Sequence, residues 1–177
     1  MSDKRKIRSL VRERLLSLPA CERDARSMLL PGKIDKYVAD ANLRVIALYA
    51  SLPDEPRTQQ LIELLAGRFT IVLPRVCGDV MDFYPYVNGA LQCGAFGIDE
   101  PLGEEPVSPD IIDVAIIPGV AFSVAGCRLG RGKGYYDRYM SREGFRAFKI
   151  GVCFAEQLLD ELPCESHDIM MDTVIYV

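Results

Sequence analysis

Two short apolar runs joined by a helical segment constrain the fold of this chain more than any other feature. The first run, residues 43–50, is rich in apolar and β-branched side chains, as in a strand buried on both faces of a parallel sheet. It is followed by a loop at 51–56, a helix at about 57–66 and a second strand at 69–73 that is stopped by Pro74. The sequence therefore predicts a β-α-β unit, whose right-handed crossover puts the loop 51–56 at the carboxyl edge of the sheet, where open α/β sheets bind ligands.

The rest of the chain continues this alternation. Apolar residues at helical spacing predict further helices at 3–18, at 20–41 with a break at Pro31-Gly32, at about 135–143 and at about 155–161. Further buried strands are predicted at 111–117, 147–154 and 173–177. Residues 80–84 and 91–93 predict an antiparallel excursion with a turn at Asn88-Gly89, and residues 94–109 a long surface connection. We therefore expect one domain, residues 1–177, with a three-layer α/β/α fold and a mostly parallel central sheet.

Residues 126–138, which we call the glycine–cation loop, follow the strand predicted at 111–117 and so emerge at the same edge of the sheet as residues 51–56. Four glycines, four cations and one acid lie within these thirteen residues, in a chain whose net charge is −4. Like charges in one turn repel each other, so the local excess indicates an anionic ligand. Glycines at 130, 132 and 134 allow positive φ and a close approach of backbone N–H groups to that ligand. The spacing is neither that of a dinucleotide fingerprint nor that of a P-loop, so it predicts a phosphate or other anion, with a solvated basic turn as the alternative.

Overall composition narrows the function classes. A sequence pI of about 5.1 argues against general nucleic-acid binding. No apolar run approaches the length that spans a bilayer and the N-terminus is charged, so we expect a cytoplasmic protein without a membrane partner. We also expect a monomer, although no residue pattern reveals the oligomeric state. The six cysteines show no metal-ligand spacing and are expected to be reduced, and the single histidine, His167, excludes a polyhistidine metal site.

A resemblance to the 5-formyltetrahydrofolate cyclo-ligase (methenyltetrahydrofolate synthetase) family is carried by the run RLGRGKGYYDRY, preceded by IPGVAF and followed by HDIMMDTVIYV. It extends over KRKIRSLVRERL, YASLPDEPRT and LPRVCGDVMDFY, and so covers nearly the whole chain. One departure is Ser123, where many members carry an Asp. The resemblance implies that ATP phosphorylates the formyl oxygen of 5-formyltetrahydrofolate and that N10 then attacks the activated carbon. The products would be 5,10-methenyltetrahydrofolate, ADP and phosphate.

The resemblance and the charge pattern together assign roles to particular residues. ATP, as co-substrate, is expected to contact Lys4, Arg8, Arg128, Leu129, Gly130, Arg131, Gly132, Lys133, Gly134, Tyr135 and Tyr136. The expected catalytic cations are Arg131 and Lys133. The expected folate contacts are Ala50, Glu55 and Tyr135, and Mg²⁺ is expected at Asp137 and Asp168.

Some of these assignments have a structural alternative. Lys4 and Arg8 could belong to a solvated basic face of the first helix. Asp168 could be a turn or cap residue ahead of the last strand. The carboxylate of Glu55 could accept the side-by-side donors of a pterin, or it could cap the helix predicted at 57–66.

Two functions of other classes remain open from the residues alone. A sugar-phosphate or CoA-handling enzyme on a similar α/β scaffold would turn over no ATP and bind no folate. An RNA-binding module would use the Arg/Gly/Lys/Tyr run, with Tyr135 and Tyr136 as stacking faces, and its binding would depend on salt.

Overall fold

The computed structural model describes residues 3–40, 42–87, 90–94, 97–165 and 168–177. The helices are α1 (Asp3–Leu16), α2 (Ala20–Ser27), α3 (Leu30–Ile34), α4 (Gln59–Ala66) and α5 (Tyr135–Met140). The strands are β1 (Val45–Ala47), β2 (Thr70–Cys77), β3 (Val80–Pro85), β4 (Leu91–Cys93), β5 (Asp99–Pro101), β6 (Val114–Pro118), β7 (Ala121–Ser123), β8 (Arg128–Leu129), β9 (Phe148–Cys153), β10 (Leu158–Leu159) and β11 (Thr173–Tyr176). Within these residues no helix is long and apolar enough to cross a membrane.

Six strands form the central sheet, in the order β11-β9-β6-β1-β2-β3. All neighbouring pairs are parallel except β2 and β3, which are antiparallel. Strand β1 pairs with β2 on one side and with β6 on the other, and α4 connects β1 to β2. The predicted β-α-β unit and the mostly parallel sheet are both confirmed.

The side chains of β1 alternate between the two faces of the sheet and belong to two separate cores. On one face Ile46 clusters with Val11 of α1 and Leu61 of α4. On the other face Ala47 clusters with Tyr139 of α5. A fully buried aliphatic side chain such as Ile46 contributes about 1.5 to 3 kcal/mol to stability. Helices therefore cover both faces, and the predicted three-layer arrangement is confirmed.

Strand β2 runs past Pro74, so the prediction that this proline stops it was wrong. The backbone O of Val72 accepts a hydrogen bond from the N–H of Leu48, so position 72 faces β1. Position 74 faces the same way, because backbone groups of successive strand residues point to alternate sides. Strand β1 has already ended at Ala47, which pairs with Val72, so the missing N–H of Pro74 costs no ladder hydrogen bond.

The break in the second helical region also lies elsewhere than predicted. It lies between α2 and α3, at Met28-Leu29, and not at Pro31-Gly32. Pro31 lies in the first turn of α3, where a backbone N–H would have no intrahelical partner and a proline is therefore tolerated.

The segment after β2 departs further from the prediction. Strand β3 pairs with β2, but β4 pairs with β5 in a separate hairpin that is closed by a hydrogen bond from Gly94 N to Ile98 O, 2.8 Å. Residues 94–109 are therefore more than a surface connection, because β5 buries the side chain of Glu100. The predicted turn at Asn88-Gly89 lies outside the described residues.

A hairpin of β7 and β8 follows β6 and was not predicted; its second strand, β8, lies within the glycine–cation loop. It forms a small second sheet in the order β10-β7-β8. The helix predicted at 155–161 is only a 3₁₀ turn at Ala155–Gln157, because the chain must then extend to pair β10 with β7. Gln157 fixes this geometry by donating from Nε2 to the carbonyl oxygens of Gly119 and Val120.

Candidate active site

A cavity of about 470 Å³, which we call the site cavity, lies at the carboxyl end of β1 beside the glycine–cation loop. Its wall includes every residue that the sequence predicted to contact ATP, folate or a metal ion: Lys4, Arg8, Ala50, Glu55, Arg128, Leu129, Gly130, Arg131, Gly132, Lys133, Gly134, Tyr135, Tyr136, Asp137 and Asp168. The loops 51–56 and 126–138 therefore meet, as expected of segments that leave parallel strands at one edge.

The glycines of the glycine–cation loop serve two different purposes. Gly132 and Gly134 have φ of 98° and 67°, which only glycine adopts readily, and α5 begins directly after Gly134. Gly130 does not have positive φ, so that part of the prediction was wrong. A Cβ at this position would lie 3.0 Å from Nη1 of Arg128, so Gly130 instead leaves room for that guanidinium.

Arg128 carries a guanidinium that the protein itself holds. Its side chain is 4% exposed; Nη2 donates to Oδ2 of Asp137 at 2.8 Å and Nη1 to the carbonyl O of Pro118 at 3.2 Å. The guanidinium also lies 5.4 Å from the centre of the Tyr136 ring. Arg128 therefore adds a fixed positive charge to the wall and holds the carboxylate of Asp137 in place.

Two cations of α1 reach the site cavity. Arg8 donates from Nε to the carbonyl O of Gly130 at 2.9 Å, and Lys4 donates from Nζ to Oδ2 of Asp168 at 2.8 Å. These contacts connect α1 to the glycine–cation loop and to the segment before β11, so neither side chain belongs to a merely solvated face. Asp168 also accepts from the N–H of Glu165 at 2.8 Å, so it is a turn residue as well as part of the wall.

Glu55 is a buried carboxylate, 5% exposed, at the end of the loop that follows β1. Its Oε2 accepts from the N–H of Leu52 at 3.0 Å, and its Oε1 accepts from Nε and Nη2 of Arg131 at 3.3 and 3.0 Å. Burial raises the pKa of Glu55, and the Leu52 N–H and the Arg131 charge only partly offset this effect. None of these contacts is to the first turn of α4, so Glu55 does not cap that helix.

Lys133, one of the two predicted catalytic cations, is exposed. The structure gives the Lys133 ammonium no ion pair with any of the described residues, and only the carbonyl O of Lys133 is engaged, by Nη1 of Arg138 at 2.8 Å. Arg131 differs, because it is bound to Asp54 as well as to Glu55. Of this pair, Lys133 is thus accessible to an incoming anion and Arg131 is held by carboxylates.

Asp137 and Asp168 fit the predicted magnesium site in their chemistry. Mg²⁺ in phosphate-transfer sites is usually held by one or two carboxylates together with phosphate oxygens and water. Both carboxylates lie on the wall, and Oδ1 of Asp137 makes no hydrogen bond with any residue that the structure describes. The described residues contain no group of three or more His, Cys, Asp or Glu side chains that could hold a metal alone, so these two carboxylates would depend on phosphate oxygens to complete the coordination.

Sequence reasoning missed several residues of the wall, among them Tyr49, Met81, Ile98 and Glu100. Tyr49 lies just past β1, is 1% exposed and donates to the carbonyl O of Pro56 at 2.9 Å. Met81, Ile98 and Glu100 come from the segment between β2 and β6, whose pairing was not predictable. No local pattern distinguishes the buried Glu100 from the exposed acids that follow it in the chain.

Ser123, the position that departs from the family pattern, has a structural role here. Its Oγ accepts from the N–H of Cys127 at 3.1 Å, and its N–H donates to the carbonyl O of Cys127 at 2.9 Å. The residue therefore closes the β7–β8 hairpin, whose second strand belongs to the glycine–cation loop. His167 lies outside the described residues.

Known proteins resemble this chain over most of its length. The model of the 5-formyltetrahydrofolate cyclo-ligase family matches residues 1–177. The mouse protein named 5-formyltetrahydrofolate cyclo-ligase is 30% identical over 99% of this chain and 94% of its own. The protein of the same name from Escherichia coli K12 is 28% identical over 94% of this chain and 96% of its own.

Solved structures give the same result. The NMR structure of Aquifex aeolicus 5,10-methenyltetrahydrofolate synthetase superposes with a TM-score of 0.86 and 32% identity, over 98% of this chain and 89% of its own. A 5,10-methenyltetrahydrofolate synthetase from Mycoplasma pneumoniae superposes with a TM-score of 0.78 and 26% identity, over 98% of both chains. None of these four proteins is named as a sugar-phosphate, CoA or RNA-binding protein.

Proposed function

The chain belongs to the 5-formyltetrahydrofolate cyclo-ligase family, and we propose that its site cavity converts 5-formyltetrahydrofolate and ATP into 5,10-methenyltetrahydrofolate, ADP and phosphate. The observation that carries this proposal is that all residues expected to contact ATP, folate and metal line one cavity. They come from α1, the loop 51–56, the glycine–cation loop and the segment before β11, which are far apart in sequence.

The reaction needs activation of an unreactive carbon. The N5-formyl group is an amide, so N10 of the same molecule cannot displace its oxygen unaided. Transfer of the γ-phosphoryl group from ATP to the formyl oxygen makes that oxygen a leaving group. N10 then attacks the carbon, the C–O bond breaks, phosphate leaves and N10 loses its proton. Positioning and charge neutralisation supply most of the catalysis in such transfers.

The expected catalytic cations and folate-binding residues have proposed roles in this reaction. Lys133, whose ammonium is exposed, would neutralise the phosphoryl group in transit, and Arg131 would contact the triphosphate. Ala50, Glu55 and Tyr135 would bind the folate, with the Glu55 carboxylate accepting from the pterin 2-amino group and the ring N–H beside it.

Mg²⁺ is the proposed metal, held by Asp137 and Asp168. When bound with ATP it would offset the negative charge that develops on the phosphate oxygens. The backbone N–H groups of Leu129 and of the three glycines after it would contact the nucleotide.

We propose further that residues 1–177 act as one cytoplasmic domain and as a monomer, without nucleic-acid or membrane partners. All six cysteines are free, which suits a reducing compartment.

The direct test is to mix the protein with 5-formyltetrahydrofolate and Mg-ATP and to follow the absorbance of the methenyl product. The proposal predicts a rising signal that requires all three components. No product at any protein concentration would contradict it.

A further inference from the structure

Arg131 links the two halves of the site cavity. It belongs to the glycine–cation loop, yet its Nε and Nη2 both donate to Oε1 of Glu55, at 3.3 and 3.0 Å, and Nη2 also contacts Asp54. The guanidinium therefore meets the buried carboxylate with two adjacent N–H donors, which is the same donor pattern that a pterin offers. This observation does not depend on any ligand being present.

The two uses of Glu55 compete. A carboxylate has about four lone-pair sites, two on each oxygen. In this structure Arg131 takes both sites on Oε1, and the Leu52 N–H takes one on Oε2. A side-by-side donor pair needs one site on each oxygen, so it can bind Glu55 only if at least one bond from Arg131 is broken.

From this competition we infer that Arg131 couples folate binding to nucleotide binding, with Asp54 as the positioning residue that keeps the guanidinium near when Glu55 is given up. Without folate, a phosphate group that draws Arg131 away leaves a carboxylate that is 5% exposed without its cation, which weakens nucleotide binding. With folate bound, Glu55 already has its donors and Arg131 is free to contact phosphate. Each ligand therefore strengthens the binding of the other by the same factor.

This inference rests on the proposed function and makes a prediction that needs no folate. In Glu55→Gln the carboxylate charge that restrains Arg131 is gone. The dissociation constant of a non-hydrolysable ATP analogue, measured by titration calorimetry without folate, should therefore fall, by about tenfold for the loss of one charge-assisted contact. A nucleotide that binds more tightly after loss of a folate-binding residue is not expected from a purely structural role of Glu55.

A double-mutant cycle separates this coupling from general electrostatics. Removing any negative charge near a triphosphate favours the nucleotide, so Glu55→Gln is also made in an Arg131→Gln background. There the effect of Glu55→Gln should nearly vanish. Glu100→Gln removes another buried carboxylate of the same wall, whose Oε1 accepts from the N–H of Val76 at 3.2 Å, and should tighten the analogue less than Glu55→Gln does.

The reciprocal experiment uses both ligands. In the wild type, saturating 5-formyltetrahydrofolate should tighten the ATP analogue by about tenfold, and in Arg131→Gln by less than about twofold. The inference is overturned if Glu55→Gln leaves analogue binding unchanged or weaker, or if it tightens binding equally in the Arg131→Gln background. Methenyl product formed by a wild type that shows no such tightening would overturn the coupling and leave the proposed function standing, whereas no product and no binding would overturn both.

Discussion

Nζ of Lys4 lies 2.8 Å from Oδ2 of Asp168, so the first turn of α1 is bound to the segment just before the last strand. The two side chains are 20% and 12% exposed, and both lie on the wall of the site cavity. An ion pair between the two ends of the chain therefore closes one side of the site.

Replacing Lys4 by Met tests this closure. Loss of the cation removes the charge-assisted hydrogen bond from Lys4 to the mostly buried Asp168, which should cost about 1 to 3 kcal/mol. For a chain of this length the melting temperature should fall by about 2 to 4 °C for each kcal/mol. Thermal unfolding measures the change, and Lys6→Met, on the exposed side of α1, is the matched control. Equal melting temperatures of the two variants would mean that Lys4 contributes no more to stability than a solvated lysine.

Lys133→Met should raise the KM for ATP and lower kcat while the melting temperature stays close to that of the wild type. The reason is that the Lys133 ammonium makes no ion pair with the described residues, so its loss removes charge from the reaction and little from the fold. Steady-state kinetics at saturating folate measure both constants. Unchanged ATP kinetics would exclude a phosphate contact.

Asp137→Asn should shift half-saturation with Mg²⁺ to higher concentration and should also lower stability. The second effect follows because Asp137 holds the guanidinium of Arg128, whose side chain is 4% exposed. Mg²⁺ titrations of the rate and thermal unfolding of the metal-free protein separate the two effects. A variant that loses stability but keeps the Mg²⁺ dependence would make Asp137 a partner of Arg128 only.

Asp168→Asn should also shift the Mg²⁺ dependence, but less than Asp137→Asn does. Asp168 is already engaged by Lys4 and by the Glu165 N–H, so it has less capacity for a metal ion. The same Mg²⁺ titration decides the question, and wild-type dependence would leave Asp168 as a turn residue alone.

Glu55→Gln should weaken 5-formyltetrahydrofolate binding by at least about tenfold, because a charge-assisted hydrogen bond to a buried ligand contributes about 1.5 to 3 kcal/mol. The substitution should also remove the pH dependence of folate affinity. Burial raises the pKa of Glu55, so in the wild type the carboxylate is protonated, and folate affinity lost, at a higher pH than for an exposed Glu. Binding titrations across pH should show this loss on acidification in the wild type and not in the variant.

The same pKa shift fixes the sign of the stability effect. Because the folded-state pKa of Glu55 is raised, its contribution to stability is present at low pH and is lost as pH rises through that pKa. The melting temperature of Glu55→Gln minus that of the wild type should therefore increase as the pH rises from mildly acidic to neutral. If this difference instead decreased as the pH rises, the charge of Arg131 would outweigh burial in setting the pKa of Glu55.

The sequence predicts which loops meet at the sheet edge better than it predicts the elements around them. Buried parallel strands have a strong apolar signal, and their carboxyl ends must share one edge, so the meeting of residues 51–56 with 126–138 follows from topology alone. The composition of the glycine–cation loop then marks where an anion would bind.

The features that could not be predicted depend on contacts between residues that are far apart in sequence. Pro74 is tolerated because β1 ends early, and β4 pairs with β5 because a hairpin closes between Gly94 and Ile98. The contact of Arg131 with Glu55 joins residues 76 positions apart in sequence, which no periodicity can reveal.

We expect one cavity to cleave ATP and to close the folate ring in the same event. The decisive measurement follows ADP release and methenyl absorbance in a single sample, with each substrate omitted in turn. ADP and 5,10-methenyltetrahydrofolate should appear in equal amounts, and neither should form when ATP or 5-formyltetrahydrofolate is omitted. ADP released at the same rate without 5-formyltetrahydrofolate, or methenyl product formed without ATP, would contradict this expectation.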